Sequence, residues 1–151
     1  MAKKTRSAKP KGSIKTEARF KLFYPVLAEC GFERNNPPED ASEDDKTERF
    51  YDSTMEVPEE QGGTVNVVIC EFSAGQKIKE TRILEIRATY FVGLECTDLG
   101  SEDEKRAALQ QLVAASAWPM FRDLFIHIGS QSGEELPLLP NSPKLRWIGG
   151  K

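Results

Sequence analysis

The sequence predicts a single α+β domain, a four-stranded antiparallel sheet followed by one long, proline-kinked helix. Three observations carry this. Residues 78–94 alternate with period two: Ile78, Leu84, Ile86, Ala88, Tyr90, Val92 and Leu94 fall on the even face, against Lys79, Thr81, Glu85, Arg87 and Thr89 on the odd. That is a long strand with one buried side. The period then changes. Leu109, Leu112, Val113, Ala117, Met120, Phe121, Leu124, Phe125 and Ile128 recur at spacings of three and four, the apolar stripe of a helix of roughly 25 residues. Finally, the strand signals come first and the helix last, which indicates an antiparallel sheet rather than βαβ units. A chain of 151 residues fits one domain with a real core.

The elements follow in order. Residues 1–16 (MAKKTRSAKPKGSIKT) hold too little apolar surface to offset the entropy of ordering, so a disordered basic tail is expected there, then the domain over 17–141 and a C-terminal tail over 142–151. Residues 20–32 (FKLFYPVLAECGF) read as a strand made irregular by Pro25, a short helix being the other option. Residues 35–45 (NNPPEDASEDD) are a loop by their paired prolines and acids. Residues 47–57 form a second strand and 58–63 a turn. Residues 65–72 (VNVVICEF) are apolar on both parities, as a central strand is, and 73–77 (SAGQK) have the length of a hairpin connection. Ile83 and Phe91 interrupt the polar face of the long strand, which marks a place where a sheet meets something. Ser101 followed by Glu102, Asp103 and Glu104 is a helix start. Pro119 is expected to kink the helix near Ala115, and Gly129 and Gly133 to end it.

Charge is distributed unevenly. The net formal charge of −3 combines a tail of six bases and no acids (residues 1–16) with a body of net charge −9. Residues 29–61 alone carry 12 acids and 3 bases. A strongly basic nucleic-acid binder is excluded on global charge, although the tail by itself could contact phosphates. No apolar run reaches the roughly 18 residues of a membrane span, and no h-region follows the N-terminal bases, so a soluble intracellular protein is expected. Cys30, Cys70 and Cys96 are widely spaced with one histidine in the chain, which argues against a disulfide framework or zinc site and for reduced core cysteines.

The motifs of catalysis are missing from the sequence: no Gly-rich phosphate loop, no GxSxG elbow, no metal-spaced His/Cys/Asp set. His127 falls at the helix C-terminus, where the dipole favours it. The acids at 39–45 lack EF-hand spacing and the mid-loop glycine. No enzyme, cofactor or metal is expected. Trp118, Phe121, Phe125, Leu136, Leu138, Leu139 and Trp147 offer more large apolar surface than one sheet face needs. The domain's own core or a homo-oligomer interface accounts for that surface, and a hydrophobic groove for clients or partners is the functional reading of it.

In the order and spacing of its elements the chain resembles the SecB family of protein-export chaperones over roughly residues 20–140. Residues 29–37 (ECGFERNNP) resemble the family's D-x-S-F-E-x-P segment at the end of its first strand. Residues 65–72 and 84–94 resemble its paired central strands, with the C-E-V-x-x-x-G-I-F pattern. Residues 114–124 (AASAWPMFRDL) resemble its proline-containing helix segment, and 136–140 (LPLLP) its L-x-L-x-P. The resemblance implies a cytoplasmic holdase, a homotetramer built as a dimer of dimers, that binds unfolded clients without nucleotide. Export members pass clients to the SecA motor for translocation. By similarity the acidic face that meets SecA falls on Glu29, Glu33, Ile83 and Glu85, and a client groove on Phe50, Tyr51, Trp118, Phe121, Phe125, Leu136 and Leu138. Relatives in toxin–antitoxin systems or on phage genomes serve one dedicated client, such as an antitoxin. The family's second C-terminal helix has no counterpart in the sequence pattern.

Overall fold

Pro25 shapes the first edge of the sheet. Proline gives no N–H to a ladder, and in the computed structural model, which describes residues 19–58, 65–97 and 101–149, the ladder stops there. Strands β1 (Arg19–Leu22) and β2 (Val26–Arg34) lie on either side of it, and both pair antiparallel with the long strand β5 (Thr81–Thr97). Pro25 itself is buried. A bulge between Leu27 and Glu29 restores the alternation of β2 after the break.

The sheet continues through β4 (Val65–Ile78) and β3 (Thr47–Glu56) to β6 (Arg146–Ile148), in the order β1/β2, β5, β4, β3, β6. The α+β class and the antiparallel core are as the sequence predicts, but the sheet has six strands instead of four. One extra strand comes from the division at Pro25. The other is β6, which lies in the segment expected to be a tail and runs parallel to β3. Trp147 anchors it against the core, with the Arg106 guanidinium 5.3 Å above its ring. The Ser53 hydroxyl donates to the Lys144 carbonyl at 2.9 Å. The basic residues 1–16 lie outside the described residues.

The β4–β5 hairpin turns later than the sequence suggests. Residues 73–77 continue β4 through Ile78, and the turn is made by Lys79 and Glu80, with Lys79 at φ 53°. Gly75, which reads as part of a connection, is there for close strand approach, and Ala74 beside it belongs to the buried core. A β-carbon on Gly75 would lie 1.9 Å from the Leu84 carbonyl oxygen. The acidic loop 35–45 folds onto this turn. Lys79 Nζ sits 3.1 Å from Asp40 and 3.3 Å from Asp45, so the loop's carboxylates meet a lysine. Asp45 is held below the usual carboxylate range, first by the Ser42 backbone N–H and then by Lys79.

Helix α1 (Glu102–Ser132) opens on a capping box. The Ser101 hydroxyl accepts from the Glu104 N–H at 3.2 Å, and the Glu104 carboxylate accepts from the Ser101 N–H at 3.0 Å. It closes on Gly133 at φ 72°, the left-handed position that favours glycine. The helix is 31 residues long and runs through both Pro119 and Gly129. Pro119 is exposed on the outer side, and Gly129 is buried because Leu136 packs on it: a β-carbon there would meet Leu136 Cδ1 at 2.3 Å. Gly129 therefore serves packing and only Gly133 terminates the helix.

The core lies between α1 and the even face of β4 and β5. Val68, Cys70, Phe72 and Ala74 of β4 and Ile86, Ala88, Tyr90 and Val92 of β5 meet Leu109, Val113, Trp118 and Phe121 of the helix. Each large side chain buried this way contributes roughly 1.5–3 kcal/mol. The expectation of core cysteines holds for Cys70, which is buried, but Cys30 is exposed on the edge strand. Burial pushes the Cys70 thiol up to about 12. At about pH 8 a thiol-specific reagent is therefore expected to modify Cys30 in the native protein and Cys70 only after denaturation. Mass spectrometry of the labelled peptides reads this; native labelling of Cys70 at the rate of Cys30 would contradict it.

Candidate functional site

Two surfaces are left once the core is filled. The first lies beside the helix. Leu136 anchors on Gly129, so the segment after α1 turns back along the helix and leaves an apolar cleft of about 250 Å³. Phe125 forms its floor, and Ile126, Leu138 and Leu139 flank it, with Arg122 and Glu134 as polar edges. Leu138 is 92 % exposed and Ile126 60 % exposed, which is unusual for aliphatic side chains placed side by side. Among the described residues, none covers this rim.

The second surface is the sheet face opposite α1, left open among the described residues. Register aligns its side chains into rows across the strands. Glu29, Thr89, Glu71, Thr54 and Arg146 form one row over β2, β5, β4, β3 and β6. On one side, Gly31, Arg87, Ser73 and Asp52 form the next; their small members leave a polar basin of about 470 Å³. Beyond it Glu33 stands opposite Glu85. On the other side the face turns apolar, through Val26, Phe91 and Ile69, then Phe23 packed over Gly93.

Ion pairs tie most of the basin together. Arg82 reaches Glu85 and, at 2.7 Å, Asp52, while its guanidinium lies 4.5 Å from the centre of the Phe50 ring. Arg87 pairs with Glu33. Glu85 is only 6 % exposed under Arg82. Such partly exposed pairs add little stability but neutralise the carboxylates they engage.

The sequence-derived sites fare differently in this geometry. Glu29, Glu33 and Glu85 share the open face by register, whereas Ile83 sits at an irregularity that the β4–β5 pairing skips between Arg82 and Leu84, and it lines a separate cleft with Arg34, Gln76 and Glu134. Arg82 and Arg87, given no site role in the sequence reading, sit beside the three carboxylates and leave Glu29 as the one of that set without an ion pair in the described residues. The groove set is divided. Phe125, Leu136 and Leu138 meet at the cleft, where Phe125 is buried beneath it. Trp118 and Phe121 are fully buried under the sheet, with Phe72 5.3 and 5.4 Å from their ring centres. They are core and not groove lining. Tyr51 is half-buried, 6.0 Å from Trp118, whereas Phe50 points to the opposite face of the sheet. Ile126 was missed because it falls off the buried stripe; its signal was an aliphatic residue on the polar side of the helix. Among the described residues no group of three or more His, Cys, Asp and Glu is placed to hold a metal, and no helix is long and apolar enough to cross a membrane.

No protein-family model matches the sequence, and no curated protein sequence matches it. A solved structure does match. The SecB-like chaperone Rv1957 of Mycobacterium tuberculosis, in complex with a ChAD peptide from the HigA1 antitoxin Rv1956, superposes with a TM-score of 0.55. The match covers 81 % of this chain and 90 % of that one at 14 % sequence identity. The fold is SecB-like. At that identity the likeness speaks for backbone architecture alone, and the side chains above must carry any argument about binding. In this chain the cleft and the open face lie on opposite sides of the sheet.

Proposed function

We propose that this protein is a SecB-like holdase chaperone that keeps an unfolded or partly folded client extended along the helix-side cleft, without catalysis or nucleotide. The observation that carries this is the exposed pair Leu138 and Ile126 flanking an apolar cleft floored by Phe125. An extended client would set alternate apolar side chains into such a cleft, and its backbone could pair with the free edge of β2. Affinity would come from many weak contacts.

A dedicated client is the form of this reading we favour. The solved SecB-like neighbour holds an antitoxin peptide. In addition, Arg82 and Arg87 neutralise Glu33, Glu85 and Asp52, which weakens the open face as an acidic dock for a motor such as SecA. Assembly as a homotetramer in the cytoplasm belongs to the same reading. The test is light scattering of a chemically denatured client diluted with and without the protein. Suppressed aggregation at equimolar ratio is expected; undiminished aggregation would rule the holdase out.

A further inference from the structure

We infer that the cleft of about 340 Å³ around Ile83 is a second compartment for the client chain, entered at Glu134, where a lysine or arginine of the client takes the place of Arg34; this rests on the holdase reading of the apolar cleft and extends it.

The two clefts share a wall. Glu134 lines the apolar cleft over Phe125 and also the cleft that holds Asn35, Asn36, Gln76 and Ile83. At that wall Glu134 pairs with Arg34 at 3.0 Å. Both clefts lie on the side of the sheet that carries α1. Arg34 and Gln76 stand opposite Leu84 in the register, and Gln76 Nε2 donates to the Glu135 carbonyl at 3.1 Å. The edge that β2 offers to an extended chain ends at the same Arg34. A client seated over Phe125 therefore reaches that edge by rounding the C-terminal end of α1, past Glu134.

Charge selects what crosses this point. The last turn of α1 carries no base, the helix dipole leaves partial negative charge on the final carbonyls, and Glu134 and Glu135 follow directly. Arg34 is the ion-pair partner of Glu134 among the described residues, and its side chain is 71 % exposed against 27 % for Glu134. Arg122, the other base on the apolar cleft, lies ten residues before the helix end at Ser132, about 15 Å along the axis. An exposed arginine swings into solvent at little cost, whereas the partly buried carboxylate it leaves needs another cation. A client lysine or arginine supplies it, and a client carboxylate at the same point adds repulsion. Beyond Glu134, Ile83 offers an apolar contact. The side-chain amides of Asn35, Asn36 and Gln76 offer partners for the N–H and C=O groups of an extended chain. Two of these amides are held in place, Asn35 by the Arg82 carbonyl and Gln76 by that of Glu135.

Fluorescence anisotropy tests this with a labelled peptide of alternating leucine and serine that carries lysine, glutamine or glutamate at its centre. At low ionic strength the full-length protein is expected to bind the lysine peptide roughly fivefold more tightly than the glutamate peptide, with the glutamine peptide between them. At about 1 M salt, where screening acts within about 3 Å, the difference is expected to vanish. Exchanging the pair, Arg34→Glu with Glu134→Arg, keeps an ion pair at the wall and is expected to reverse the preference, which a purely structural pair would leave unchanged. Glu134→Gln is expected to erase it, with circular dichroism as in the parent. A benzophenone placed at either end of the lysine peptide then locates the chain: one end is expected to label residues 122–139 and the other Asn35, Asn36 or Ile83. Binding that Ile126→Asp with Leu138→Asp weakens, but that is indifferent to the central charge, would overturn the second compartment and leave the apolar cleft standing. Labelling of residues 122–139 from both ends would do the same. Failure of all three peptides to bind would overturn both readings.

Discussion

Replacing Trp118 with alanine is expected to lower the stability of the fold by about 3–5 kcal/mol. Its indole is fully buried between α1 and the sheet, with Phe72 edge-on at 5.3 Å, Phe121 at 5.6 Å and Tyr51 at 6.0 Å. Its Nε1–H donates to the Pro140 carbonyl at 2.9 Å. The loss therefore has two parts. The cavity removes ring contacts to three elements of the core, β3, β4 and α1 itself, and the segment leading to β6 loses its tie to the helix. Trp118→Phe keeps most of the packing and removes only the hydrogen bond, so a smaller loss of about 1–2 kcal/mol is expected. Urea unfolding followed by circular dichroism gives both values. A midpoint for Trp118→Ala within error of the parent would contradict the placement of this ring in the core.

That placement also explains what the sequence could and could not show. The alternation of residues 84–94 and the change to a period of three and four put β5 and α1 in place, because burial on one face leaves that pattern and nothing else does. Ser101 and the acids after it marked the helix start for an electrostatic reason that is local in sequence. The ends of β4 were harder. Gly75 looks like a turn residue, yet it is a strand residue forced to be small by the Leu84 carbonyl, a contact between neighbouring strands that local composition does not encode. The same holds for Gly129, which resembles a helix terminator and instead seats Leu136. β6 is three residues long and depends on Trp147 reaching the core, so no periodicity could announce it.

The candidate site was legible in part for the same reason. Odd parity on the long strand placed Glu85 on the open face and β2 register brought Glu29 and Glu33 to it, whereas the register irregularity at Ile83 breaks the alternation there. Parity puts Arg87 on that face but does not show its partner across the strands: Arg87 pairs with Glu33, and Arg82, brought to the same face by the register shift at the hairpin, pairs with Glu85 and Asp52, so that together they turn an acidic row into a mostly neutral network. On the helix, Trp118, Phe121 and Phe125 share one stripe, and a stripe tells only that a side is buried, not whether by the domain's own sheet or by a client. Exposure decided it. Leu138 and Ile126 are the aliphatic residues the fold leaves in solvent beside the cleft.

Changing both Ile126 and Leu138 to aspartate is accordingly expected to impair client holding while sparing the fold. Neither side chain is part of the core cluster, so the stability change should stay within about 0.5 kcal/mol for each site. Client binding would lose two apolar contacts, each now replaced by a carboxylate that must be desolvated under an apolar segment. A combined loss of about 2 kcal/mol corresponds to roughly thirtyfold weaker binding. It is measured as the concentration of protein that halves aggregation of a denatured client, alongside urea midpoints for parent and variant. Glu29→Gln, on the far side of the sheet, is expected to leave that concentration unchanged, which distinguishes the cleft from the open face. A folded double variant that suppresses aggregation as well as the parent would remove the client from this cleft, and with it the reason for two exposed aliphatic side chains to stand where they do.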